Sequence, residues 1–234
     1  MPTEYANPSN EESLALDAMF AGHQQDWWNE FYKDRAKPCP FFVRAPDECL
    51  AKWVREGRLP VGRALDLGCG NGRNAVFLAS QGFCVDAVDF SQTAIDWAAQ
   101  RALEAGVAVN LVKASVFDVQ LAHRGYSVVY DSGCFHHIAP HRRHRYVRKV
   151  AAALAPGGWF GMVCFRPEGG SGLSDEEVYE RRSLGGGLGY TESELRTIWS
   201  DGFVVREVRQ MAKQSLGSGL FGEPFLWSVW AQRT

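Results

Sequence analysis

From residue 62 to residue 165, short apolar runs rich in β-branched side chains alternate with stretches whose apolar positions recur at helical spacing. GRALDLG, FCVDAVD, VAVNLVKA, YSVVYDSG and WFGMVCF read as strands. NAVFLASQG, SQTAIDWAAQRALEAG and HRYVRKVAAALAPGG read as the helices between them. Strands separated by helical patterns of about 10–15 residues predict βαβ units and a parallel sheet. The strands are short and almost wholly apolar, as suits a sheet buried on both faces. Near the C-terminus a helix (ESELRTIWSDG) leads to FVVREVRQM and PFLWSVWAQR, joined by the helix-free connector AKQSLGSGLFGE. That connection predicts an antiparallel pair closing one edge of the sheet.

Elsewhere the rhythm differs. Residues 1–25 read as a polar arm, partly helical at SLALDAMF, followed by the aromatic-dense WWNEFYKDRAKPCPFFVRAP with prolines at 38, 40 and 46. DECLAKWVREG spaces Leu50, Trp53 and Val54 for one helix face. The segment RPEGGSGLSDEEVYERRSLGGGLGYT after residue 165 is glycine-rich, and so long a connection inside a compact domain serves as a functional lid or is disordered. These shifts divide the chain into an N-terminal helical and aromatic cap, 1–60, and a domain, 61–234, carrying a lid-like insertion at 166–190.

Composition narrows the class. With 46% hydrophobic and 22% charged residues the chain is globular, and its 234 residues can bury a large core without disulfides. Its formal net charge of −2 supplies no global field for nucleic acid or an anionic membrane. No stretch reaches the ~18 uninterrupted apolar residues of a membrane span. The acidic, polar start MPTEYANPSNEESLALD lacks the basic and then apolar order of a signal peptide. The six cysteines show no CxxC spacing, so the expectation is buried free thiols in a cytoplasmic protein.

The sharpest chemical signal is Asp66-Leu67-Gly68-Cys69-Gly70-Asn71-Gly72, where the first strand gives way to the first helix of the alternating region. Glycines there let the backbone turn tightly and approach a ligand, and this edge of a parallel sheet is where α/β proteins place ligands. A dinucleotide fingerprint would need glycine at position 73, which is Arg73. The observed D-x-G-x-G-x-G form suits a ligand carrying an amino acid, because Asp66 can orient the turn's amides or attract an ammonium. The next strand ends in Val85-Asp86-Ala87-Val88-Asp89-Phe90-Ser91. Ser91 is a good helix N-cap, which makes Asp89 the acid at the strand tip, able to take both hydroxyls of a ribose. Asp86 then points elsewhere.

The run ALDLGCGNGRNAVFLASQGFCVDAVDFS resembles the cofactor half of class I S-adenosylmethionine-dependent methyltransferases. Its G-C-G-x-G-R-N wording is especially similar to the tellurite-resistance and thiopurine-type small-molecule enzymes. The resemblance covers about residues 60–165 and, more loosely, the C-terminal strand pair. It implies an α/β, Rossmann-like fold: a seven-stranded, mostly parallel sheet in the order 3-2-1-4-5-7-6, last strand antiparallel, with helices on both faces. It also implies S-adenosylmethionine as cofactor, with Gly68, Gly70 and Gly72 admitting it, Asp66 at its amino-acid end and Asp89 on the ribose. Cys69, Arg73, Phe90 and Ser91 are further cofactor candidates. Ser115 and Val116 correspond to adenine contacts, although many relatives carry aspartate where Ser115 stands. Asp131 and Ser132 begin the segment that closes over the methionine part. Trp28 and Tyr32, four residues apart, match in place an aromatic segment that folds over the cofactor, where rings gain cation–π attraction to a sulfonium.

His136 and His137 are the catalytic candidates, since an oxygen acceptor needs a general base and imidazole titrates near neutrality. If the strand continued through them, only one would face the cleft. Arg166, Tyr179 and Tyr190 are the polar candidates for substrate contact. No metal site is expected: His137, His141 and His144 are interrupted by Pro140 and crowded by arginines. The basic run from Arg142 to Lys149 reads as a solvated helix face, which argues against nucleic acid as a partner. The activity so implied is methyl transfer to a small-molecule acceptor through sulfur, oxygen, nitrogen or a soft anion. An RNA or protein methyltransferase, a non-catalytic S-adenosylmethionine-binding module and a nicotinamide oxidoreductase stay open as alternatives, as does a monomeric or dimeric state.

Overall fold

The computed structural model describes residues 10–20, 24–121, 123–215 and 217–234. The start of the polar arm, residues 1–9, and residues 21–23 lie outside the described residues. The elements run α1 (Asn10–Phe20), α2 (Gln24–Lys33), α3 (Glu48–Arg55), β1 (Arg63–Leu67), α4 (Arg73–Ser80), β2 (Cys84–Asp89), α5 (Gln92–Ala105) and β3 (Val109–Lys113). They continue with β4 (Tyr126–Ser132), α6 (Arg143–Ala153), β5 (Leu154–Phe165), α7 (Asp175–Glu180), α8 (Glu192–Ile198), β6 (Phe203–Gln210) and β7 (Leu226–Arg233).

The seven strands form one sheet in the order β3-β2-β1-β4-β5-β7-β6. Neighbours from β3 to β5 pair in parallel, and β7 runs antiparallel to both β5 and β6. Fold class and strand order are therefore those the sequence predicts. Alternation sorts the strand residues between two apolar layers. Leu65, Val129, Phe160 and Val229 pack with Tyr146, Leu195 and Trp199 on one face. Ala64, Val85, Tyr130 and Trp230 pack with Leu50, Trp53 and Leu78 on the other. Trp53 of α3 lies flat on Trp230 of β7, ring centroids 4.2 Å apart, so α3 is part of the core.

Local chemistry fixes the helix starts. The Ser91 hydroxyl accepts from Ala94 N at the head of α5, as its position predicts, and Gly106 ends that helix at φ +66. Ser174 with Glu177 and Thr191 with Glu194 form capping boxes on α7 and α8. Asp86 accepts from Asn110 Nδ2 and the Tyr126 hydroxyl at 2.6 Å each, away from the strand tips. Cys49, Cys69 and Cys164 are buried and Cys84 is exposed, all as free thiols. Among the described residues no helix is long and apolar enough to cross a membrane.

The N-terminal segment reaches the carboxyl edge of the sheet at two places. Asn29 of α2 accepts from the Ser91 hydroxyl (2.9 Å) and Thr93 N, while Tyr32 packs with Ala94 and Trp97 of α5. On the far side of the sheet, Asp17 of α1 pairs with His141 (2.7 Å) and Arg142, and Phe20 packs against His141 and Tyr179. The segment before α3 is held by a buried ion pair. Asp47, 0% exposed, accepts from Arg73 Nη2 (2.7 Å), Asn74 Nδ2 (2.8 Å) and the Tyr130 hydroxyl (2.9 Å). Removing one member of such a pair leaves a buried charge uncompensated. Asp47→Ala is expected to cost about 3–5 kcal/mol in equilibrium urea denaturation, whereas a loss below ~1 kcal/mol would contradict this role.

Candidate active site

The turn leaving β1 is left-handed at Gly68, Gly70 and Gly72, with φ of +67, +52 and +76. L side chains rarely adopt that conformation. Space is equally restrictive. A Cβ on Gly68 would lie 2.6 Å from Cβ of Cys134, and one on Gly72 would lie 2.7 Å from Cβ of Ala98. Those two faces are filled by the protein's own packing. At Gly70 the neighbour is the Tyr32 hydroxyl, 2.6 Å from a Cβ placed there. The Tyr32 ring is buried, yet its hydroxyl makes no hydrogen bond among the described residues.

Asp89 ties the turn to the tip of β2. One carboxylate oxygen accepts from Gly70 N (2.9 Å) and the other from Ser91 N (2.8 Å). Burial raises its carboxyl to about 6 against the pull of those amides. Ala114 N donates to Asp89 O, which brings Ser115 and Val116 beside the strand tip. Phe90 accepts from Gln25 Nε2 of α2 through its carbonyl. Cys69 is buried, and burial drives its thiol well above the ordinary range.

Asp66 is 1% exposed near the end of β1, and its Oδ2 is sealed from solvent with no hydrogen-bond partner among the described residues. Burial, reinforced by Asp47, Asp131 and Asp89, raises this carboxyl to about 8, while Arg73 opposes the rise. Arg73 is occupied elsewhere: besides Asp47, it donates to Ser132 Oγ (2.9 Å) and Ala45 O (3.3 Å) and stacks over Phe221. Asp131 is likewise engaged. It accepts from Cys134 N and Phe135 N on one oxygen and from the Tyr146 hydroxyl, at 2.5 Å, on the other.

Those bonds end β4 sharply. With Gly133 at φ +94, the chain leaves the strand into a 3-10 turn, Phe135–His137, so the two histidines do not continue a strand. His136 lies flat on Phe165, ring centroids 3.8 Å apart, and its Nδ1 accepts from Phe165 N. Burial holds it well below the usual histidine range. The His137 ring meets Trp28 edge-on at 5.0 Å and makes no side-chain hydrogen bond among the described residues. Burial lowers it to about 4, so it is neutral at physiological pH.

The three substrate candidates do not converge on this point. Tyr179 holds the α1 contact: its hydroxyl accepts from His141 N at 2.9 Å and lies 3.0 Å from His141 Nδ1. Tyr190 accepts from Arg143 Nε through its hydroxyl, and Arg143 forks onto Asp175 at 2.7 and 2.8 Å. Arg166 donates to Pro224 O and stacks over Trp227. Asp47 and Asn29 were invisible to spacing arguments, because each acts on a partner 26 or more residues away through a segment without periodicity. What the site brings together is a glycine turn, two strand-tip acids, an aromatic roof from Tyr32 to Trp28, and one unpartnered imidazole.

The profile of a family described as a methyltransferase domain matches residues 64–158. The chain is 32% identical over 153 residues to a ubiquinone biosynthesis O-methyltransferase of Caulobacter sp. (strain K31), covering 60% of this chain and 58% of that protein. It is 25% identical over 202 residues to a 2-heptyl-1-hydroxyquinolin-4(1H)-one methyltransferase of Mycobacteroides abscessus, covering 83% of this chain and 84% of that one. The chain thus spans under two thirds of the first relative and most of the second. Among solved structures, a Burkholderia thailandensis 1,6-didemethyltoxoflavin-N1-methyltransferase with bound S-adenosylhomocysteine superposes with a TM-score of 0.63. That match has 22% identity and covers 97% of this chain and 91% of the other. Residues 64–158 thus match the profile of a methyltransferase domain, and they lie in a sheet whose strand order is the one expected of class I S-adenosylmethionine-dependent methyltransferases.

Proposed function

We propose that this protein transfers a methyl group from S-adenosylmethionine to a small-molecule acceptor. The observation that carries the reading is the pair of acids at the strand tips. Asp66 Oδ2 is sealed in without a partner among the described residues near the end of β1, and Asp89 grips the turn from the end of β2. A ligand with an ammonium at one end and ribose hydroxyls at the other satisfies both, so the residues present fit this cofactor. When bound, S-adenosylmethionine supplies an electrophilic methyl group on a sulfonium sulfur.

In this reading Asp66 receives the ammonium and Asp89 takes the ribose hydroxyls on the lone pairs left free by Gly70 N and Ser91 N. Ser115 and Val116 flank the adenine. Tyr32 and Trp28 cover the cofactor, with the Tyr32 hydroxyl available as a donor, and residues 1–60 act as the cap. Arg73, Asp131 and Ser132 position the cleft wall, and the insertion 166–190 closes the acceptor side, Tyr179 and Tyr190 stiffening it. His137 is the base of choice over His136, whose Nδ1 is already bonded. An imidazole pushed down to about 4 is always ready to accept a proton near neutrality, but it is a weak base. It therefore suits an acceptor whose O–H or S–H is already acidic. The names of the two relatives, which specify O-methyl transfer and a hydroxyquinolone acceptor, support an oxygen nucleophile.

Asp89→Ala is expected to weaken S-adenosylhomocysteine binding by ~1–3 kcal/mol in calorimetry, and unchanged affinity would refute the ribose assignment. His137→Ala should keep that affinity while slowing transfer to a hydroxyl acceptor by about 10²–10⁴-fold, with an unchanged rate refuting the base. A screen of phenols, thiols, amines and halides for methyl acceptance tests the reading as a whole. Methylation of none of them, by a chain that binds the cofactor, would favour a non-catalytic binding module.

A further inference from the structure

Asp47, Asp66, Asp89 and Asp131 are four carboxylates at the cleft, none more than 6% exposed. Three have hydrogen-bond partners that favour the ionised form, although burial still raises Asp131 to about 7 and Asp89 to about 6. Asp47 has Arg73, Asn74 and Tyr130; Asp89 has two backbone amides; Asp131 has two amides and the Tyr146 hydroxyl. Asp66 accepts no hydrogen bond from the described residues, and its Oδ2 is closed to solvent.

The charges acting on Asp66 come from every element packed around it: Arg73 of α4, Asp47 ahead of α3, Asp131 of β4 and Asp89 of β2. The thiols of Cys69 and Cys134 are nearby, and burial keeps both protonated. One cation thus acts on Asp66 against three other acids, and its guanidinium is already paired with Asp47. An ionised, unpartnered carboxylate in that setting costs far more than the neutral acid.

We propose that Asp66 holds a proton in the ligand-free cleft and releases it when the α-ammonium of an incoming ligand arrives. This rests on the S-adenosylmethionine reading and adds a proton linkage to it. The balance is simple: the Asp66 O–H bond breaks, its proton passes to solvent, and an ammonium–carboxylate pair forms. The raised Asp66 carboxyl, about 8, fixes the sign. Since the free cleft is protonated below that value, affinity for an ammonium ligand rises by about tenfold per pH unit up to it. Above it the gain levels off, because there Asp66 is already ionised in the free cleft and has no proton left to release.

Calorimetric titration with S-adenosylhomocysteine at neutral pH, in phosphate, HEPES and Tris, reads this directly. The dependence of the observed heat on each buffer's ionisation heat counts the protons released. Close to one proton is expected for the wild-type chain. None is expected with 5′-methylthioadenosine, which keeps the nucleoside but lacks the amino-acid end. Asp66→Asn should abolish the release while binding 5′-methylthioadenosine as the wild type does, which shows an intact cleft. Buffer-independent heat for S-adenosylhomocysteine, or undiminished release in Asp66→Asn, overturns the proposal and leaves the cofactor reading standing. If neither nucleoside binds the wild-type chain, both fall.

Discussion

Asp89 holds the carboxyl edge of this sheet together. Its two oxygens fix the Gly70 amide and the Ser91 amide, so one side chain sets the path of the glycine turn and the start of α5. The turn accepts that path only because three of its residues lack a Cβ. Two of those vacancies seat Cys134 and Ala98, which lock the segment after β4 and helix α5 against the turn. The third seats the hydroxyl of Tyr32, on a helix outside the sheet. The glycine that makes room for Tyr32 therefore also brings the N-terminal segment into contact with the turn.

Electrostatics in the cleft follows from this crowding. The carboxylates buried around the ends of β1, β2 and β4 cannot all reach water, and three of the four find stabilising partners. Asp47 takes a guanidinium, Asp131 a phenol and two amides, and Asp89 two amides. Asp66 has none among the described residues, and in the proposed reading that residual demand for positive charge is what a cationic ligand end would meet. The histidines show the opposite case. Burial keeps both neutral, and hydrogen bonding separates their roles: one imidazole is bound to Phe165 N and the other faces Trp28 unbonded.

Much of this was legible in the chain. Two periods, about two in strands and about 3.6 in helices, are enough to mark the sheet and its helices. Ser91 as an N-cap separated Asp89 from Asp86 correctly, because capping chemistry is local. The glycine turn announced itself by spacing, and strand order came with the family resemblance. Long-range partners were not legible. Nothing near Asp47 signals Arg73, and nothing near Tyr179 signals an α1 contact through His141. The turn at 135–137 was hidden for a related reason: it depends on Asp131 capping two amides at the end of a strand, where period alone continues the strand.

Hydrogen–deuterium exchange with and without S-adenosylhomocysteine tests the central claim most directly, because it locates the ligand along the chain. The account predicts slowed exchange at 66–73, at 88–92 and along α2, with β6 and α8 unchanged. Absence of protection at the glycine turn, or protection confined to the far edge of the sheet, would contradict it.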